Sequence, residues 1–370
     1  MDPLHERLDS LLRRTVERTR HVRHGLLGVL FLDRAETWMG AHGILDTDGT
    51  AATPEARYPI ASITKLFTAT VTMRLIEEGR LRLGDRIVDI LPAHITDRLH
   101  VRDGVDRTGS ITVENLLSHT SGLADYYSEA SGGGRSTEQR LLDGEDVPVP
   151  LEEVVRLVRD VLPPHFDPQP VNRRRRKARY SDTNFQLLGA VLETIASRPL
   201  ADLFDELVFG PLDLVSTSSY PHPPRSGASP EPDAMVWSKD VVLEIAGALS
   251  TQKADGGIVS TLADQLRFIA ALVSGVIFSD PSTWARMTAR FNRVFFPVEY
   301  GLGVMRYAPP RWMSPAYRVP AVFGHSGSTA TWLFHCPGLS VAVAGTFDVA
   351  QPALPYRFLP RVLREIEKGN

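Results

Sequence analysis

Ile60-Ala61-Ser62-Ile63-Thr64-Lys65-Leu66-Phe67-Thr68 is the stretch from which the rest of the chain is read. Of the 41 lysines and arginines only five are lysines. One of them stands three residues after a serine, at the head of an apolar helix. Arginine stays protonated at any working pH, whereas a lysine can be desolvated until its neutral amine acts as a base. A serine hydroxyl is a poor nucleophile until such a base takes its proton. Residues i and i+3 share a helix face, so Ser62 Oγ and the Lys65 amine can meet. Leu66, Phe67, Val71, Leu75 and Ile76 give Lys65–Glu78 a helical period, stopped by Gly79. Arg57–Ala61 reads as an extended entry. Ser62 then sits at a helix N-terminus, where free N–H groups and the dipole favour an oxyanion. A serine in this place also serves as a plain N-cap, so companion residues must decide. A second match, Ser250-Thr251-Gln252-Lys253, runs into Ala254-Asp255-Gly256-Gly257, which cannot carry a helix onward.

The chain of 370 residues can bury a large core in one unit or two lobes. Hydrophobic content of 43%, charge of 23% and a formal net charge of −3 are those of a soluble globular protein. They give no global field toward nucleic acid or membrane. Cys336 is the single cysteine, which excludes an internal disulfide or a cysteine-based metal cluster. The longest apolar run, Leu26–Leu32, is far too short to span a bilayer. Met1–Arg23 alternates leucines with charges of both signs, as an amphipathic helix does and a signal or transit peptide does not. A cytoplasmic protein is expected.

Gly25–Asp33 and Thr37–Ile44 read as a hairpin, and Tyr300–Tyr307, Ala321–His325, Ala330–Cys336 and Leu339–Phe347 as strands. Helical patterns cover Thr112–Ser118, Leu151–Val161, Thr183–Ala196, Leu200–Val208, Leu262–Val273, Pro281–Ala289 and Tyr356–Glu367. Tyr126–Arg140, Pro163–Arg179 and Pro221–Pro232 read as loops. Strands at both ends with helices between predict one sheet assembled from residues 1–95 and 235–370. Residues 96–234 then form a mostly helical inserted lobe, with a ligand cleft between the two.

Two further motifs accompany the serine and lysine. Tyr180-Ser181-Asp182 precedes a helix; a phenol near the Ser-Lys pair can relay protons, and neighbouring cations favour its phenolate. Tyr180 is otherwise a helix-entry residue and Asp182 an N-cap. His325-Ser326-Gly327 closes a strand, whose edge can offer main-chain groups to an extended substrate, with Gly327 permitting close approach. Gly324-His325-Ser326-Gly327-Ser328 lacks the last glycine of a nucleophile elbow, and strand follows it, so an α/β-hydrolase is a poor fit.

These three elements in this order resemble the serine β-lactamase and DD-peptidase superfamily, which uses Ser-x-x-Lys, Tyr-x-Asn or Ser-x-Asn, and Lys-Thr-Gly or His-x-Gly. The flanking stretches Leu116–Leu123, Gly256–Thr261 and Tyr300–Gly303 extend the resemblance over nearly the whole chain, closest to the class C β-lactamase-like esterases, peptidases and transacylases. It implies an α+β, β-lactamase/transpeptidase-like fold, an antiparallel sheet flanked by helices with an inserted helical lobe. It implies Ser62 as acylated nucleophile, and Lys65 with Tyr180 as proton carriers. The N–H groups of Ser62 and Ser328 become the oxyanion hole, and His325 a contact to acyl donor or acceptor. Ser326, Gly327 and Asp182 fall at substrate-binding positions. No metal or organic cofactor is implied.

Asp182 departs from the family's amide. A carboxylate beside Lys65 favours the ammonium and opposes a neutral base. Either Asp182 points away and caps the helix, or it keeps Lys65 charged and Tyr180 carries more of the base work. When ionised it cannot donate to a substrate carbonyl, which bears on amide and lactam recognition more than on acylation. The expected activity is hydrolysis of a small-molecule ester or amide through acyl-Ser62. The alternatives are acyl transfer to an amine or alcohol, and a non-catalytic binding protein on the same scaffold. The run Arg173-Arg174-Arg175-Arg176-Lys177 is a solvated loop or a contact for an acidic partner. Oligomeric state is not legible.

Overall fold

The computed structural model describes every residue except Met1, Ala35, Ser131, Arg174, Pro315, Ala316, Asp348 and Asn370. Met1, Ser131 and Arg174 belong to segments read above and lie outside the described residues. The frame is an eight-stranded, wholly antiparallel sheet. Its strands are β1 (His24–Phe31), β2 (Glu36–Gly43), β3 (Asn292–Phe295), β4 (Val298–Tyr300), β5 (Met305–Tyr307), β6 (Val322–Ser326), β7 (Trp332–Cys336) and β8 (Val341–Thr346). Their order is β3-β4-β5-β6-β7-β8-β1-β2. The two ends of the chain are joined at β1 and β8, where Leu26 faces Thr346 and Phe31 faces Val341.

β8 is buried at every position and β1 at all but one, so both faces of the sheet are covered there. A Cβ added at Gly25 would meet Leu12 and Val16 of helix α1 (Pro3–Arg18). One added at Gly28 would meet Leu262 and Leu266 of another helix, Leu262–Ser274. Positions an odd number apart on a strand point to opposite faces, so these helices sandwich the sheet. The C-terminal helix, Leu354–Gly369, packs beside α1. The α+β antiparallel sheet with flanking helices is therefore the fold observed.

Helix α2 (Thr64–Glu77) carries the decisive stretch and is buried from Thr64 to Met73. Its threonines tolerate this because their hydroxyls return to the chain. Thr70 Oγ1 donates to the Leu66 carbonyl at 2.8 Å and Thr72 Oγ1 to that of Thr68 at 2.7 Å. A small sheet of Tyr58–Pro59, Ile258–Ser260 and Ser218–Ser219 holds the approach to α2 against the segment that follows Asp255.

Several expectations are corrected. Tyr300–Tyr307 is two strands, β4 and β5, because Gly301-Leu302-Gly303-Val304 turns the chain. Gly303 has φ +75°, and a Cβ there would lie 2.1 Å from that of Ala69, so only glycine lets this turn sit on α2. β3 was not anticipated. The Tyr126–Arg140 stretch contains the start of a short helix, Thr137–Leu142, capped by Ser136, whose Oγ accepts from the Gln139 N–H at 3.1 Å. The helix at Pro281–Ala289 shrinks to Thr283–Met287. The α-helices beginning at Leu151 and Leu200 end at Arg156 and Phe204 and widen into π-type turns. Among the described residues no helix is long and apolar enough to cross a membrane.

Candidate active site

Ser62 lies in a 3₁₀ turn, Ala61–Ile63, that runs directly into α2. Ala61 before it has φ +48°, a left-handed conformation that disfavours a residue with a Cβ and is held here by its surroundings. The loop after β6 helps to hold it. Thr331 Oγ1 donates to the Ile60 carbonyl at 3.1 Å, and a Cβ on Gly327 would come within 2.7 Å of Ala61 Cβ. Gly327 thus lets its loop approach the backbone before Ser62, and it lines the same cavity as Ser62 and Ser328.

Ser62, Tyr180, Asp182, Ser326, Gly327 and Ser328 line one cavity of about 550 Å³. Lys65 lies beneath it with no exposed side-chain surface. Its ammonium has three protons and three acceptors. It donates to Ser62 Oγ at 2.9 Å, to the Asp255 main-chain carbonyl at 2.7 Å, and to Asp182 Oδ1. Burial pushes the Lys65 amine down, but Asp182 and then Asp255 outweigh it, and the group titrates above its ordinary value. Of the two expected positions for Asp182, the ion pair is the one adopted. The helix Asp182–Ala196 is capped from outside instead, by Asp125 Oδ1, which accepts from the Asp182 N–H at 2.9 Å.

Tyr180 stands over Lys65, with the ammonium 5.3 Å from its ring centre, and lines the same cavity as Ser62. The expectation that cations would favour its phenolate is overturned. Burial, reinforced by the Asp182 charge, holds the phenol well above its usual range, so Tyr180 is a proton donor at rest. Among the described backbone hydrogen bonds neither the Ser62 nor the Ser328 N–H donates. Both residues line the cavity, as an oxyanion hole requires.

His325 does not line the cavity. It is fully buried, with Nδ1 2.8 Å from the Ser326 carbonyl and Nε2 3.0 Å from Tyr300 Oη. The carbonyl can only accept, so Nδ1 carries the proton and Nε2 receives the Tyr300 hydroxyl. Burial, then the Lys65 charge, press this imidazole well below its usual pKa, and it is neutral. Its expected contact to acyl donor or acceptor is replaced by a brace between β4 and β6. Ser326 does reach the cavity, its Oγ 2.7 Å from Tyr356 Oη. β6 is an interior strand over Val322–Gly324, and only its last two residues lack a partner on the β5 side.

Sequence reading missed several residues around this centre. His119, with φ +53°, packs against Tyr180 at a tilt with ring centres 4.4 Å apart, and its Nδ1 accepts from the Ser181 N–H at 3.2 Å. It sits inside the quoted Leu116–Leu123 stretch, which was the available signal. Asp255, immediately before Gly256-Gly257, binds Tyr126 Oη at 2.9 Å and Gln186 Nε2 at 2.8 Å. Asp125 and Asp255 are each pushed up to about 7, by burial first; Asp182 adds to the rise, and Lys65 opposes it at Asp255. Tyr127 lines the cavity beside Ser328. The far wall is apolar, built from Phe295, Phe296, Val298, Tyr307, Met313 and Tyr356. The His/Asp/Glu trio Asp2, His5 and Glu36, close enough to share an ion, is not part of this cavity.

The sequence profile of the Beta-lactamase family matches residues 8–367. Penicillin-binding protein 4 of Amycolatopsis lactamdurans is 28% identical over 280 residues, covering 71% of this chain and 61% of that protein. The chain thus spans less than two thirds of that relative's length. Among solved structures, D-amino acid amidase from Ochrobactrum anthropi SV3 superposes with a TM-score of 0.77 at 21% identity, covering 99% of this chain and 98% of that one. EstCE1, described as a hydrolase with promiscuous acyltransferase activity, gives a TM-score of 0.75 at 21% identity, with 98% of each chain covered.

Proposed function

Because the chain belongs to the Beta-lactamase family, we propose that it is a serine hydrolase cleaving an ester or amide of a small molecule through acyl-Ser62. The observation that carries this reading is the Lys65 amine, 2.9 Å from Ser62 Oγ at the floor of an open cavity. Acylation proceeds from the neutral amine. Ser62 Oγ bonds to the substrate carbonyl carbon as its proton passes to Lys65, and the oxyanion settles against the Ser62 and Ser328 N–H groups. The leaving group departs with a proton from Tyr180 or Lys65, and water then releases the acid. Asp182 and Asp255 stabilise the resting ammonium, so the acylating form is a minority species at neutral pH. The apolar wall favours an acyl group with substantial apolar surface.

That wall also supports a second reading, transfer to an amine or alcohol. An acyl-enzyme shielded by apolar surface meets water less readily, and EstCE1 carries such an activity in its description. Labelling with a fluorophosphonate and peptide mapping tests the shared step. Wild-type protein should be modified at Ser62, and Ser62→Ala should lose turnover of p-nitrophenyl esters. A folded protein left unlabelled at Ser62, or a Ser62→Ala variant within about tenfold of wild type, would refute the proposal. Product analysis with and without added nucleophile separates hydrolysis from transfer.

A further inference from the structure

A second cleft opens where α1 ends and the C-terminal helix begins. It encloses about 520 Å³ and is lined by Arg18, Arg20, His21, Gln351, Arg357 and Arg361 among others, with no carboxylate among the described lining residues. Among the described residues none of its four arginines has an ion-pair or hydrogen-bond partner. Other surface arginines are paired, as Arg86 is with Asp89, Arg135 with Asp143 and Arg156 with Glu153; what distinguishes this cleft is that four unpaired arginines line one cavity. Asp240 already holds His21 at 3.2 Å and Arg23 at 3.0 Å and acts on Arg20 through its field.

Arg357 and Arg361 are one turn apart on the same helix, a spacing at which like charges repel. Arg357 also stands in the first turn of that helix, whose dipole adds positive potential. All four arginines are exposed to solvent and free to meet an incoming anion, and guanidinium is the group best shaped to hold an oxyanion in two-point contact. The cleft also adjoins the catalytic cavity: Arg357 lines both.

We propose that this cleft is an anion subsite, and that the substrate is an acyl compound with a terminal oxyanion, phosphate or carboxylate, seated on Arg18, Arg20, Arg357 and Arg361 while its ester or amide carbonyl lies at Ser62. The inference rests on the hydrolase reading above for the identity of the reacting group, and on the arginine cleft alone for the anion.

Three series of p-nitrophenyl alkanoates of graded chain length test it: unsubstituted, ω-carboxylated and ω-phosphorylated. At one chain length an anionic ester should exceed its neutral counterpart in kcat/KM by about tenfold, and salt on the order of 0.5 M should erase the difference. Which of the two anionic series gains identifies the oxyanion. The double variant Arg18→Ala/Arg361→Ala, whose side chains lie outside the catalytic cavity, should abolish the preference and leave the neutral esters within about twofold. Anionic esters no better than neutral ones in wild type, or a preference untouched by the double variant, would overturn the subsite.

Calorimetric titration of inorganic pyrophosphate and of succinate into Ser62→Ala protein tests the cleft without turnover. Saturable binding of at least one, lost on adding the two arginine substitutions with the melting temperature retained, is expected; binding of neither overturns the subsite. A wild-type protein that binds the anion yet hydrolyses no ester would overturn the hydrolase reading and leave the anion site standing.

Discussion

Replacing Asp182 by Asn isolates the departure that makes this site unusual. The ion pair with Lys65 is buried, with 11% of the Asp182 side chain and none of the Lys65 side chain exposed. Two charges about 4 Å apart at an effective dielectric of about 20 attract by about 4 kcal/mol. The amide keeps one hydrogen bond, worth about 1 kcal/mol, and Asp255 still faces the amine. The ammonium thus loses about 2–3 kcal/mol relative to the free amine, the form that acylates. The sign follows: with Asp182 gone, burial is less opposed, Lys65 releases its proton at lower pH, and the rising limb of kcat/KM moves toward neutrality. A gain of about 30- to 150-fold at pH 7 is expected in ester hydrolysis, and a larger one in amide or lactam cleavage, because the introduced amide donates to the substrate carbonyl. The variant should be less stable at pH 7 by about 1–3 kcal/mol, below the usual toll of a broken buried pair because the lysine can neutralise. That deficit should shrink as pH rises, since the folded state now binds fewer protons than the unfolded. The assay is p-nitrophenyl acetate turnover from about pH 6 to about pH 10, with the ordinary lysine range near the upper end. A rising limb that stays in place, or activity lower than wild type at every pH, would refute the reasoning.

Tyr180→Phe keeps the packing against His119 and removes only the proton, so kcat should fall by about 10²–10⁴ with KM little changed; steady-state kinetics showing less than about a tenfold loss would exclude a proton-transfer role. His325→Ala should lower the melting temperature, by about 2–4 kcal/mol of stability, because it leaves a cavity and an unpaired Tyr300 hydroxyl. The KM for small esters should hold within about threefold, and a large rise in KM with unchanged melting would put His325 back at the substrate. Gly327→Ala forces a Cβ to 2.2 Å from Thr331 Oγ1 and 2.7 Å from Ala61 Cβ. The nucleophile turn must shift, and activity should drop on the order of a hundredfold while circular dichroism is retained.

Ser62 and Lys65 could be placed together from sequence because one helix sets their separation, and no tertiary knowledge is needed for an i,i+3 contact. Tyr180 and Asp182 were found as a motif, but the direction of the Asp182 side chain was not legible, since both a cap and an ion pair satisfy a carboxylate at a helix start. The protonation of Tyr180 was misread for a related reason. Burial sets it, and burial depends on His119, Tyr300 and His325, which come from three different segments. Asp125 and Asp255 belong to no chemical motif and enter only through the fold. In the sheet, the glycines of Tyr300–Gly303 were available as turn signals but lay inside a β-rich run. β3 is short and ends beside Phe296-Pro297, a composition that reads equally as loop.

The pairing of β1 with β8 has a consequence for biosynthesis. β1 is apolar on both faces and one of its two hydrogen-bonding edges belongs to residues 341–346. At about 5–20 residues per second, a ribosome needs on the order of 15–60 s to reach that partner after β1 has emerged. Throughout that interval the nascent chain presents a sticky, half-satisfied ribbon, so the β1–β2 hairpin is where a chaperone would be needed most and where aggregation of truncated products would begin.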